Sequence, residues 1–231
     1  VSAPATDRGI PLRPTTRPDT VQSELARTPA GTFARIAVAL LSAAVLDALY
    51  LTFALRRQVD PVTAVVSDSV YHALGAPLLV LAVLLMVLAG LMLTVAMKEL
   101  GMFSDRAIRV LFALWFAGLL LVVVFPTDRT RIDVTLHGDI HRVGGAVFLT
   151  CLPAACWTLA RSLRADPRWT AHTGRIRRFA AITWLAALAF GLSQVNPTLP
   201  QGLLERFALC AEVALLAVLA LAITAVERQT R

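Results

Sequence analysis

His137 and His141 stand four residues apart in the stretch 125–145, FPTDRTRIDVTLHGDIHRVGG. On a helix that spacing sets both imidazoles on one face, within reach of one divalent metal or one phosphate. Zinc suits such a pair, with Asp or Glu completing the set. A position left to water would then make a hydrolytic nucleophile. Asp68 and His72 repeat the spacing. His72 is therefore a third candidate metal ligand, and Asp68 a ligand, an orienting group or a general base. Asp128 is the other candidate catalytic carboxylate. A plainer account competes at each position. Gly138 weakens a helix between the two histidines, and histidines at helix ends can bond to loop carbonyls or to Asp128 and Asp139. Ser67 or Asp68 is a natural N-cap for the apolar segment that follows.

Two further sets of residues could handle charge. Arg129, Arg131, Arg142 and Arg206 could clamp an anionic headgroup, since Arg matches phosphate through two parallel hydrogen bonds; pairing with nearby carboxylates is the alternative. Asp47 and Glu212 interrupt runs that are otherwise apolar, and Glu205 precedes Glu212 by two helical turns. These acids could line a polar cavity, or Asp47 and Glu212 could hydrogen-bond neighbouring helices.

The elements that must position these groups are apolar helices. The chain has 231 residues, 57% of them hydrophobic and only 16% charged. Soluble domains are about 45–50% apolar and about 25% charged. Six apolar segments span residues 33–55, 74–97, 108–125, 143–160, 179–195 and 207–226. A helix needs about 20 residues to cross ~30 Å of hydrocarbon, and open sheets leave backbone groups unsatisfied in lipid. The expectation is an all-α, six-transmembrane-helix bundle over residues 33–227. A disordered basic cytoplasmic tail over 1–32 precedes it and a short cytoplasmic end over 228–231 follows. The tail lacks the apolar core of a signal peptide.

Arginine placement orients the bundle. Arg161, Arg164, Arg168, Arg175, Arg177 and Arg178 crowd one loop, and most other basic residues fall on the same side. Basic loops face the cytoplasm, so both termini are expected there, in a multi-pass protein of a bacterial plasma membrane. The opposite, outer face then collects Asp68, His72, Asp128, His137, Asp139, His141 and Glu205. Asp47 and Glu212 fall in the outer half of their helices. An ionisable group at that depth is a functional candidate by default.

Other chemistry is not encoded in recognisable form. The net charge of +7 follows from basic cytoplasmic loops and implies no nucleic acid. Cys151, Cys156 and Cys210 lie within apolar segments, where free Cys acts as a small hydrophobe. No Walker, G-x-S-x-G, H-E-x-x-H or C-x-x-C pattern occurs. The histidines sit at helix ends, unsuited to bis-histidine haem.

Several short motifs occur together in a set order. These are Asp60-Pro61 with Ser67-Asp68, then Phe125-Pro126-Thr127-Asp128, then Leu136-His137-Gly138-Asp139-Ile140-His141, and last Glu205-Arg206. In that order they resemble an uncharacterised membrane-protein family of bacteria and archaea, domain of unknown function 998 (DUF998). The resemblance covers residues 35–226. It implies a six-helix integral membrane protein and carries no activity with it.

Two functions are compatible with this reading. One is a metal-assisted hydrolase or transferase acting on a lipid or lipid-linked substrate. The other is a non-enzymatic binding or transport module, or a subunit of a larger membrane complex. The short loops require a substrate that is small or comes from the membrane.

Overall fold

Six long helices carry the chain back and forth through a bundle, α1 Ala30–Ala54, α2 Gly75–Glu99, α3 Arg106–Val124, α4 Leu136–Ser162, α5 Thr170–Val195 and α6 Gln201–Gln229. The computed structural model describes residues 30–129 and 134–229; the tail over 1–29, residues 130–133 with Arg131 and Asp133, and residues 230–231 lie outside them. Among the described residues there is no strand. All six helices are long and apolar enough to cross a membrane, and the protein is a multi-pass membrane protein.

The helices follow a ring in which α2 packs on α1, α1 on α6, α6 on α5, α5 on α4 and α4 on α3. Small residues allow the closest approaches. Ala34, Ala37 and Ala44 of α1 are buried, as are Ala89 and Ala96 of α2, the small-residue packing typical of membrane helices. Between α3 and α4, a Cβ added to Gly118 would fall 2.7 Å from the Phe148 nitrogen and 2.8 Å from the Gly144 carbonyl oxygen. Those two backbones touch. Large apolar side chains such as Leu46, Phe53, Leu185 and Leu188 point outward and stay exposed, as lipid-facing residues do.

The ring closes where Gly90 of α2 makes room for Trp115 and Phe116 of α3. Trp115 is fully buried, and its Nε1 donates to Glu212 of α6 at 3.2 Å. A single indole therefore touches α2, belongs to α3 and bonds α6.

Helix ends depart from the hydropathy reading where polar residues are helical. α4 begins at Leu136 rather than 143, because the Thr135 side chain caps it by accepting from the Gly138 amide at 3.2 Å. α5 and α6 also start earlier, at Thr170 and Gln201. Neither Ser67 nor Asp68 caps α2. Both lie within a separate 3₁₀ turn, Val66–Tyr71, and α2 begins only at Gly75, where a Cβ would strike the Ser69 carbonyl.

Candidate functional site

The loop 55–74 and the described parts of the loop after α3, 125–129 and 134–135, meet at one end of the bundle, and each is tied down by side chains reaching from another element. Asp128 is the centre of the second loop. Its carboxylate accepts from the Thr135 hydroxyl at 2.6 Å and the Thr135 amide at 3.3 Å. It also pairs with Arg142 Nη1 at 3.0 Å, and Arg142 Nη2 holds Asp139 at 2.7 Å. The Asp128 side chain is only 6% exposed because it lies against the backbone of Gly138, where any Cβ would collide with it. The Thr135 hydroxyl, and after it Arg142 and the Thr135 amide, holds this carboxyl below the usual carboxylate range, against the upward push of burial.

His137 and His141 do share a helix face, and both grip Phe125, the residue that ends α3. The His137 ring stacks on the Phe125 ring at 5.8 Å between centroids. His141 Nδ1 lies 2.9 Å from the Phe125 carbonyl oxygen. A carbonyl can only accept, so Nδ1 carries the proton. His72 follows the 3₁₀ turn, and its backbone amide donates to the Ser69 carbonyl at 3.0 Å. Among the described residues no group of three His, Cys, Asp or Glu side chains is placed to hold a metal ion. The zinc expected on His72, His137 and His141 therefore has no ligand set there.

The first loop is held by α6. Glu205 accepts from the Val66 amide at the start of the 3₁₀ turn. Arg206 Nη1 donates to the carbonyls of Pro61 at 3.0 Å, Ala64 at 2.9 Å and Gly202 at 3.0 Å. Arg206 thus staples the loop to α6 through two inward-turned loop carbonyls. Tyr71, at the other end of the turn, donates to the Thr127 carbonyl and joins the first loop to the second. Arg129 lies over the Tyr71 ring at 5.0 Å from its centroid. Burial, then the nearby Asp128, raises the Tyr71 phenol above its ordinary range.

Beneath these loops lies a cavity of about 1130 Å³. Its upper wall is polar and includes Asp68, Asp128, Arg129, His141, Arg142 and Glu205. Its lower wall is apolar, with Val83 and Met86 of α2, Leu119 of α3, Phe148 and Leu149 of α4, and Leu209 of α6. Along the α4–α5 seam it is lined by Ala146, Thr150, Leu188 and Gly191, all of them exposed. Trp184 Nε1 crosses that seam to the Thr150 carbonyl at 3.3 Å.

The acids expected in the cavity wall divide. Glu205 lines it; Asp47 and Glu212 do not. α1 packs behind α2 and α6 and contributes nothing to the wall, which leaves half-buried Asp47 away from it. Glu212 lies nearly one turn past Leu209, beyond the apolar floor, bonded to Trp115. The sequence reading overlooked Tyr71, Thr135 and Trp115. A signal existed for the last: a tryptophan within a span needs a partner for its N–H, and Glu212 is an acceptor in another.

A sequence model of the family described as "Protein of unknown function (DUF998)" matches residues 36–222. No curated protein and no solved structure matches the chain at a significant level.

Proposed function

The chain belongs to the DUF998 family, and the matched region runs from α1 into α6; on that premise we propose that the bundle serves to hold one membrane amphiphile in its cavity. The observation that carries the proposal is the polarity of the wall, charged at the loop end and apolar towards the bundle centre. Its volume of about 1130 Å³ lies at or above the ~300–1,000 Å³ of ordinary ligand pockets, which suits a molecule with an alkyl part. The exposed α4–α5 seam is the route by which such a molecule enters sideways from the bilayer. Arginine placement supports a mouth on the outer face of the cell membrane, with both termini in the cytoplasm.

Binding is favoured over catalysis by the commitments of the polar groups. Asp128 is engaged by Thr135 and Arg142, and Arg142 by two carboxylates.

Gly145 and Gly191 supply the test. Both line the cavity, and a Cβ on either meets open space within 4 Å. Gly145→Trp should leave the protein folded and fill the chamber. Native mass spectrometry of detergent-purified protein should show a bound lipid in the parent chain and none in Gly145→Trp. A parent chain that carries no lipid, or a variant that carries as much, would sink the reading.

A further inference from the structure

The α4–α5 seam continues away from the cavity to the other end of the bundle, where its side chains become basic. Between 161 and 178 the chain carries six arginines and a single acid, Asp166. Arg168 holds that acid at 2.6 Å. Arg161, Arg164, Arg175, Arg177 and Arg178 form no ion pair with a described carboxylate. Arg177 of α5 lies on the seam itself. Its guanidinium carbon is 4.6 Å from the centroid of the Trp157 ring of α4, and its Nε is buried with no hydrogen-bond partner among the described residues. The described protein therefore gives this guanidinium an aromatic face and no anion. Trp157 in turn packs on Trp184 of α5, with 5.8 Å between ring centroids. Arg161 follows Trp157 by one helical turn, which places it on the same face of α4, and it is exposed. Trp184 is 37% exposed, and Leu185 and Leu188 after it are 66% and 60% exposed. Unpaired cations thus lead onto an aromatic and aliphatic strip on the outside of the bundle.

We propose that this end of the seam is a docking surface for an anionic phospholipid, its phosphate held by Arg177 and Arg161 and an acyl chain laid over Trp157 and Trp184. The site is separate from the cavity and does not depend on the cavity's occupant. Arg presents a planar fork that matches phosphate and also stacks on aromatic rings, so Arg177 can keep Trp157 while it takes an anion. Tryptophans belong where hydrocarbon meets headgroups, and basic side chains beside a membrane span attract anionic lipid. A soluble phosphate would use the arginines and leave the exposed strip unused. A zwitterionic headgroup would bring its own cation among arginines that have no counter-charge.

A lipid on the outside of the bundle exchanges with its neighbours, so the test is made in a bilayer. The full chain is reconstituted in vesicles of phosphatidylglycerol and phosphatidylcholine with equal acyl chains. Bromine is placed on the chains of one lipid at a time, where it quenches tryptophans that it touches. Trp115 and Trp169 are buried, so quenching reports Trp157 and Trp184. Phosphatidylglycerol should be preferred at least about fivefold, and that preference should fall about fivefold in Arg177→Gln and in Arg161→Gln. Arg175→Gln removes the same charge from the same segment, about 200° around α5 from Arg177, and should leave the preference as it was. Arg161 and Arg175 are exposed, so their variants should fold whatever becomes of Arg177→Gln. Equal quenching by the two lipids would overturn the proposal. So would a preference that survives the Arg161 and Arg177 substitutions, or an equal loss in Arg175→Gln, which would mean diffuse attraction to the whole segment.

Discussion

Gly138 and Asp128 form a couple in which one residue's missing side chain is the other's seat. The carboxylate fills the space a Cβ would need, and Thr135 and Arg142 prevent it from swinging away. Gly138→Ala should therefore destabilise the protein by roughly 1–3 kcal/mol through overpacking, despite alanine's better helix propensity. Thermal melts should show Asp128→Ala relieving part of that loss in the double variant, with a coupling of at least about 0.5 kcal/mol. Simple additivity would refute the couple. The same carboxylate predicts a pH effect. Its folded-state pKa lies below the unfolded one, so its contribution is complete above about pH 4 and is lost as pH falls through the lower folded value. The gap in melting temperature between the parent chain and Asp128→Asn should narrow as the pH falls below about 4. A gap that stays constant would mean that Asp128 is not held as described.

Helices were legible in the sequence because lipid-facing spans advertise themselves by hydropathy, whereas their polar ends did not. The first turns of α4 run through Leu136, His137, Gly138 and Asp139, which no hydropathy window favours; Thr135 caps them. The i, i+4 histidine spacing did indicate a shared helical face. What the face meets was hidden, because Phe125 approaches only through tertiary packing. The carbonyls that Arg206 serves were hidden for a similar reason, since they come from a loop more than 140 residues earlier. Between helices, the Trp115–Glu212 bond is the most exposed to test. Trp115→Phe would keep the ring packing against Gly90 and leave a buried carboxylate without its donor. A loss of about 1–2 kcal/mol is expected in detergent unfolding. An unchanged unfolding midpoint would mean the bond adds nothing.

The molecule as a whole has two unlike ends, one carrying the cavity's mouth and the other the arginine-rich segment between α4 and α5. Their placement is checked by impermeant thiol labelling of intact cells. Gln58→Cys, exposed between α1 and α2, should react from outside, and Ser104→Cys, exposed between α2 and α3, only after lysis. The reverse pattern would turn the protein over and move the mouth to the cytoplasm. The Trp115–Glu212 bond has a consequence at this scale too. It lies deeper in the bundle than the apolar residues that form the chamber's bottom, so the chamber is a cup rather than a pipe. A cup fills and empties over one rim. An amphiphile held there, as proposed, would follow the composition of whichever leaflet touches that rim.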